Sequence, residues 1–190
     1  MAIPRPITTK KSKVSPDARS LSRAKPSAAP RPGAVQGVAT AAGCQLVASC
    51  DLAVAAEDAR FCTPGVDIGL FCSTPAVALA RAVPRKAAME MLLLGEMVPA
   101  AEAQRLGLVN RLAPRDALME TALGLAARIA SHSAITVRMG KRGFNRQIEL
   151  PLSEAYREAA SVMTENLMAR DAAEGIGAFL EKRHPHWEDR

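Results

Sequence analysis

The stretch GVATAAGCQLVASCDLAVAAEDARFCTPGVDIGLFCSTP, residues 37–75, changes from a helix-like to a strand-like pattern within a few positions. Ala41–Ser49 can form a short helix after a glycine-containing turn, and Leu52–Ala55 form an apolar run of strand length. After an irregular loop, Thr74 and Pro75 supply the N-cap hydroxyl and first-turn proline with which many helices begin. This alternation of short strands and helices predicts a mixed α/β domain.

The rest of the chain continues the alternation and then becomes almost entirely helical. A strand is predicted at Leu108–Leu112, and helical periodicity with glycine or proline terminators recurs on both sides of it. The predicted helices span residues 74–81, 84–95, 99–107, 117–130, 134–145, 152–170 and 171–181. Because strands come early and helices late, residues 33–115 are assigned to an α/β core and residues 116–190 to a helical C-terminal part of the same domain.

Residues 1–32 differ from the rest of the chain in composition. They hold six prolines and eight Lys or Arg residues against a single acid, whereas residues 33–190 hold 17 basic and 18 acidic residues. Proline at this density interrupts helices and strands, so the segment is predicted to be a disordered basic tail. The alternatives are a transit peptide, a basic arm for nucleic acid or anionic lipid, and a start that is not the natural one.

Composition argues against several classes of function. The net charge of +6 belongs to the tail and aromatic residues make up only 3%, so a surface for base stacking, and with it a nucleic-acid partner, is not expected. No apolar run reaches the ~18 residues that span a bilayer, so no membrane partner is expected. The spacing of Cys44, Cys50, Cys62 and Cys72 fits no zinc-ligand pair, which predicts reduced thiols and no metal.

Four segments carry a resemblance to the crotonase superfamily, also called the enoyl-CoA hydratase/isomerase family. Residues 37–61 resemble its G-x-A-x-G-G-G-x-x-L-x-x-x-C-D segment, and residues 64–75 stand where the family has its P-E-x-x-x-G loop. Residues 81–114 are similar to its helix–helix–strand segment, and DAAEGIGAFLEKRHPHW (171–187) is similar to its C-terminal helix. The sequence GLFCSTP is similar to the subgroup of enoyl-CoA hydratase domain-containing proteins.

The resemblance implies a crotonase-like (ClpP/crotonase) α/β spiral of repeated ββα units, with C-terminal helices that build homotrimers or hexamers. It implies an acyl-CoA thioester as substrate, as in fatty-acid metabolism, and no cofactor, because CoA is part of the substrate. It also implies further strands before the equivalent of Gly33, so the family domain is expected to be N-terminally truncated. The Ala- and Arg-rich composition favours a cytoplasmic location, and the subgroup implies the mitochondrial matrix as the alternative.

By the resemblance, two backbone N–H groups hold the thioester oxygen as it becomes an enolate, and the second donor falls on Ala42. Fixed donors are effective there because charge builds up on the oxygen in the transition state. The alternative for Ala42 is a tight helix start without a ligand. The two glutamates that hydratases use fall on Gln45 and Gly65, and neither residue can exchange a proton. Hydration by the standard mechanism is therefore not expected.

Asp67 is the only acid in the loop of residues 64–75 and could replace the missing base. The alternative is a solvated or helix-capping carboxylate. Cys72 has no basic residue after it in sequence before Arg81, so it is assigned to packing rather than to nucleophilic chemistry.

In the C-terminal helix, the aromatic residue and lysine that in the family lie near the CoA of a neighbouring or the same subunit fall on Phe179 and Lys182. A lysine suits a phosphate partner because its ammonium group is a compact point charge. The alternatives are core packing of Phe179 beside Ile176 and Leu180, and a solvated helix end for Lys182. Trp187 is predicted to anchor the tail on a partner subunit.

Two functions remain open on this basis. One is an enzyme that acts on or binds an acyl-CoA thioester through a backbone oxyanion hole, without the hydratase glutamates. The other is a non-catalytic protein that binds CoA thioesters or assembles with complete subunits, or an inactive truncated remnant of the family.

Overall fold

The computed structural model describes residues 29–190 and the backbone of Ile7–Thr8. The described residues divide into two compact units. The α/β unit comprises Arg31–Ala126 with Ile7–Thr8, and the helical unit comprises Ala127–Arg190 with residues 29 and 30. The division falls inside a helix, Leu118–Ala130, whose first half contributes to the α/β core.

Strands of two to five residues form two sheets in the α/β unit. One sheet is entirely parallel and has the order β1-β2-β4-β7. The other has the order β3-β5-β6, in which β5 runs parallel to β3 and antiparallel to β6. The strands are β1 Ile7–Thr8, β2 Pro32–Val35, β3 Val38–Thr40, β4 Leu52–Ala56, β5 Arg60–Cys62, β6 Val98–Pro99 and β7 Arg111–Ala113.

Helices follow the strands in a repeating order. The chain passes from β2 to β3 and into α1, and then from β4 to β5 and into a 3-10 helix and α2, which confirms the predicted succession of ββα units. The helices are α1 Ala42–Ala48, the 3-10 helix Pro64–Ile68, α2 Ser73–Ala82, α3 Arg85–Leu94, α4 Ala100–Arg105, α5 Leu118–Ala130, α6 Ala134–Gln147, α7 Leu152–Leu167 and α8 Arg170–Leu180. None of the helices described is long and apolar enough to cross a membrane.

The centre of the α/β core is β4, the apolar strand predicted from the sequence. Ala53–Ala56 are at most 2% exposed, because β4 pairs with β2 on one side and β7 on the other. Parallel strands covered on both faces read as continuous apolar runs, which is why this strand could be found. β3, β5 and β6 have only two or three residues, too few for a periodic signal.

The first strand lies in the segment for which the sequence predicts disorder. Ile7 pairs with Gly33 and Thr8 with Ala34, and Pro32 is the first residue of β2. At these positions the expectation of disorder is corrected, because parallel pairing supplies order that a proline-rich composition does not show. The rest of that segment, residues 1–6 and 9–28, lies outside the described residues.

In the helical unit, α6 and α7 approach each other closely at Gly143. This glycine is buried, and a Cβ at its position would lie 3.0 Å from Cγ2 and 3.1 Å from Cγ1 of Val162. Gly140, one turn earlier on α6, is exposed and has open space where a Cβ would stand. The two glycines therefore have different roles within one helix.

Replacing these two glycines should change stability in opposite directions. Gly140→Ala should raise the free energy of unfolding by about 0.5–1 kcal/mol, because alanine favours the helix. Gly143→Ala should lower it by about 1 kcal/mol or more, since the stiff Val162 side chain would have to move. Urea unfolding of both variants provides the comparison. A stabilising Gly143→Ala variant would contradict the close approach of α6 and α7.

Candidate functional site

The turn between β3 and α1 has an unusual backbone conformation. Ala41 has φ 43° and ψ −110°, a combination that L-residues with a Cβ rarely adopt. Its N–H donates to the carbonyl of Cys62 at 3.0 Å, and its own carbonyl accepts the N–H of Gln45 at 2.9 Å. The turn is thus fastened to the end of β5 on one side and to the first helical turn on the other.

Ala42 is the first residue of α1, directly after this turn. The first N–H groups of a helix have no intrahelical acceptor. No side chain caps this end of α1, and no described residue accepts a hydrogen bond from the Ala42 N–H. The predicted oxyanion donor therefore has an N–H that is available to a ligand.

The residue that the sequence analysis missed is Ala41. The positive φ that an alanine methyl disfavours occurs here, one residue before the predicted donor. A signal was present, because Ala41 and Ala42 stand where the family segment has the first two of three consecutive glycines. Glycine at the position of Ala41 would adopt this turn without strain.

Gln45 lies one turn further along α1 and is half-buried. Its backbone carbonyl accepts the Ser49 hydroxyl at 2.8 Å, while its side-chain amide has no hydrogen-bond partner among the described residues. The amide can therefore donate to, or accept from, a bound molecule or a water. It cannot deliver a proton at neutral pH.

Gly65 is enclosed by the loop that follows it. A Cβ at this position would lie 2.6 Å from the carbonyl oxygen of Leu70 and 2.9 Å from Sγ of Cys72. The Leu70 N–H donates back to the Gly65 carbonyl at 2.9 Å, and nearby the buried Thr63 hydroxyl donates to the Met91 carbonyl at 2.8 Å. The position where hydratases have a glutamate thus has no room for a side chain in this conformation.

Asp67 lies in the 3-10 helix and is exposed. Its Oδ1 is 3.2 Å from the place where a Cβ on Gly95 would stand, at the C-terminal end of α3. The carboxylate has no hydrogen-bond partner among the described residues. Its role as a base stays a prediction.

The thiols of Cys44, Cys62 and Cys72 lie near one another. Burial, followed by the proximity of Cys62 and Cys72, raises the pKa of Cys44 to about 12. Burial, followed by the proximity of Cys72 and Asp67, also raises the pKa of Cys62. Such thiols stay protonated at neutral pH, which favours packing over nucleophilic chemistry for Cys44 and Cys62. In the part of the chain that is described, no three His, Cys, Asp or Glu residues form a group that could hold a metal ion.

The two predicted CoA contacts belong to the helical unit. Phe179 on α8 is 81% exposed, and its neighbours Ile176 and Leu180 are 55% and 73% exposed. The alternative in which these three side chains pack in the core of the chain is therefore wrong, since they form an open apolar face. Lys182 follows α8, is exposed, and has φ 53°.

The tail after α8 binds to its own helical unit. The Trp187 indole N–H donates to the Ser131 carbonyl at 2.9 Å, and its ring lies 3.2 Å from the place of a Cβ on Gly175. The prediction that Trp187 anchors the tail on a partner subunit is corrected, because these contacts lie within the same chain.

Strain at Ala41 can be measured by paired substitutions. Ala41→Gly should raise the free energy of unfolding by about 1 kcal/mol, because glycine adopts the positive φ without the cost of a strained backbone. Ala42→Gly should lower it by about 0.5–1 kcal/mol, since that residue is helical. Denaturant unfolding measures both values. If both substitutions lowered the free energy of unfolding by the same amount, the turn would store no strain.

The enclosure of Gly65 can be tested in the same way. Gly65→Ala should lower the free energy of unfolding by about 2 kcal/mol, because its methyl group would displace the Leu70 carbonyl and the Cys72 side chain. Gly37→Ala is the matched control, since a Cβ there meets nothing within 4 Å. Thermal unfolding of both variants decides the question, and a Gly65→Ala variant as stable as Gly37→Ala would show that the loop leaves room.

Comparisons with known proteins place these features in a family. The family model described as enoyl-CoA hydratase/isomerase matches residues 9–190, which includes residues 9–32 that the sequence analysis left outside the family domain. Over 153 residues, the chain is 55% identical to the mitochondrial enoyl-CoA hydratase domain-containing protein 3 of Rattus norvegicus and 53% identical to that of Homo sapiens, covering 80% of this chain. The match covers 51% of the rat protein and 50% of the human one, so the chain spans about half the length of these curated relatives.

Solved structures show the same relationship. The crystal structure of human enoyl coenzyme A hydratase domain-containing protein 3 has a TM-score of 0.84 at 49% identity, covering 90% of this chain and 67% of that one. An enoyl-CoA hydratase from Mycobacterium smegmatis has a TM-score of 0.82 at 44% identity, covering 93% of this chain and 73% of that one. The crotonase-like α/β fold predicted from the sequence is thereby confirmed, and the chain belongs to the enoyl-CoA hydratase/isomerase family.

Proposed function

We propose that this chain binds an acyl-CoA thioester and that the Ala42 N–H donates to the thioester oxygen. The observation that carries the proposal is the turn at Ala41, which begins α1 so that the next N–H has no acceptor. Charge that builds up on a thioester oxygen is stabilised by a donor fixed in this way, and one such donor typically contributes ~2.7–4 kcal/mol to a transition state. Family membership supports the same ligand.

The reaction we propose is a proton shift through an enolate rather than hydration. Hydration needs one group to activate water and another to deliver a proton, and Gln45 and the enclosed Gly65 provide neither. Asp67 is the remaining carboxylate of the loop. A single carboxylate can take a proton from one carbon of an unsaturated acyl chain and return it to another, as isomerisation of a double bond requires.

We propose that the helical unit contacts the CoA moiety of a ligand bound by the same or a neighbouring subunit. The Lys182 ammonium suits a phosphate group, and the exposed Phe179 ring suits an apolar or stacking contact. No further cofactor is required, since CoA is part of the substrate. The names of the rat and human relatives favour a mitochondrial location over the cytoplasm that the composition suggests.

A second candidate function is assembly without catalysis. It is favoured by the apolar face of Ile176, Phe179 and Leu180 on α8, each of which is more than half exposed. Another subunit, in a homotrimer or hexamer, would cover it. In this candidate function, the chain either binds an acyl-CoA thioester without turnover or does not bind it.

The experiment compares butyryl-CoA with free CoA, which lacks the thioester carbonyl. Replacing Ala42 by lactic acid turns its amide into an ester and removes the N–H while keeping the methyl group. We expect this variant to bind butyryl-CoA about tenfold more weakly than the unmodified chain, since one hydrogen bond is lost. Its affinity for free CoA should not change. Calorimetric titration measures the affinity for each ligand. An equal loss of affinity for butyryl-CoA and free CoA would contradict the role of Ala42.

Turnover separates the two candidate functions. The chain should isomerise but-3-enoyl-CoA while failing to hydrate crotonyl-CoA, and Asp67→Asn should lower the isomerisation rate by about 10²-fold or more. Binding of butyryl-CoA without either reaction would favour the assembly candidate. An unchanged isomerisation rate in Asp67→Asn would exclude Asp67 as the base.

A further inference from the structure

Lys182 occupies a position that helices usually give to glycine. Glu181 is the last residue with a helical conformation, Lys182 has φ 53°, and the Arg183 N–H returns to the Ala178 carbonyl at 3.0 Å. This closure places one left-handed residue directly after the helix, where a Cβ is unfavourable. A lysine at this position carries a backbone cost that glycine would avoid.

The chain that leaves this turn is fastened to α8 by the ion pair between Arg183 and Glu174. Nη1 and Nη2 of Arg183 lie 2.6 and 2.9 Å from the two carboxylate oxygens of Glu174, a bidentate arrangement. Nε of the same guanidinium contacts Glu181 at 2.6 Å. The Arg183 hydrogen bonds and the His186 N–H, which donates to Glu174 at 2.8 Å, lower the pKa of Glu174 to about 2. Glu174 therefore keeps its charge throughout the neutral range.

Hydrogen bonds to Asp171, at the start of α8, hold the last residues of the tail in place. The buried Asp171 carboxylate accepts the N–H groups of Glu188 and Asp189 at 2.9 and 3.1 Å. Burial alone would raise the pKa of Asp171, but hydrogen bonds from Ser133 and from these tail amides outweigh it and lower that pKa. Residues 183–190 are thus attached to α8 through Glu174 and Asp171, and the Arg170–Glu188 pair adds a third contact.

The charge of Lys182 is not used inside the helical unit. Among the cations of α8 and the tail, Arg170 and Arg190 pair with Glu188, and Arg183 pairs with Glu174 and Glu181. Lys182 has no ion pair among the described residues. The strained residue is therefore the one whose ammonium group remains available to a ligand.

We propose that Glu174 and Arg183 are positioning residues, whose ion pair fixes the left-handed turn that presents Lys182 to a phosphate of CoA. The inference rests on the proposed function, in which Lys182 contacts CoA. Neither Glu174 nor Arg183 touches the ligand in this proposal. Loosening their pair should lower affinity for the phosphate-bearing part of the ligand and for nothing else.

The test uses the whole chain and two thioesters, butyryl-CoA and butyryl-pantetheine, which lacks the phosphates. Lys182→Gly removes the charge but keeps the turn, and we expect it to bind butyryl-CoA about tenfold more weakly. Glu174→Gln should cause a similar loss. The double variant should bind no more weakly than Lys182→Gly, because both changes act through the same ammonium group. Butyryl-pantetheine should bind equally to all of them.

Two further variants serve as controls. Glu165→Gln breaks the Arg142–Glu165 pair elsewhere in the helical unit and should leave both affinities unchanged. Arg183→Lys keeps the charge but loses the bidentate geometry, so it should show an intermediate loss and replaces Glu174→Gln if that variant fails to fold. Thermal unfolding of each variant verifies folding.

The outcomes separate the two proposals. Three results would overturn the positioning role while the proposed function stands. The losses of affinity could be additive in the double variant, or butyryl-pantetheine could lose affinity in parallel. Alternatively, Glu174→Gln and Arg183→Lys could both bind butyryl-CoA normally. Failure of the unmodified chain to bind butyryl-CoA would overturn the proposed function and this inference together. A loss confined to butyryl-CoA and shared with Lys182→Gly is the expected result.

Discussion

The hydrogen bond from the Ala41 N–H to the Cys62 carbonyl determines how the candidate site is built. It joins the end of β3 to the end of β5 and holds Ala41 in a conformation that costs on the order of 1–3 kcal/mol. A strained turn of this kind persists only where contacts with the surrounding structure hold it in place. Here α1 buries Cys44 and Val47 directly after the turn, so relaxing Ala41 would disturb the core.

The loop after β5 limits the chemistry that the site can perform. Its backbone closes over Gly65 through the Leu70 N–H, and Cys72 occupies the adjacent space. The absence of the hydratase glutamate is therefore built into the loop, because the position has no volume for a side chain. In the proposed function, the groups that remain for chemistry are a backbone donor at Ala42, an amide at Gln45 and a carboxylate at Asp67. This set fits stabilisation of an enolate better than addition of water.

The helical unit combines an open apolar face with a tightly fastened tail. Phe179 and its neighbours on α8 have no cover within the unit, whereas Trp187 and Asp171 fix the tail through contacts inside the same chain. An apolar face on a rigid support is suited to a ligand or to another subunit. The tail thus preserves the geometry of α8 irrespective of what covers that face.

The sequence by itself determined the class of fold, the strand predicted at Leu52–Ala55, the order of ββα units and the family, because these follow from local periodicity and from motifs in fixed order. It also predicted Ala42, Gln45 and Asp67 as site residues, and their roles stay predictions. Only the tertiary structure decided that Ala41 carries the strained φ, that Gly65 is enclosed, and that Trp187 binds its own chain. Each of these depends on a contact between residues that are distant in sequence or that a loop brings together. A local sequence pattern does not determine such contacts.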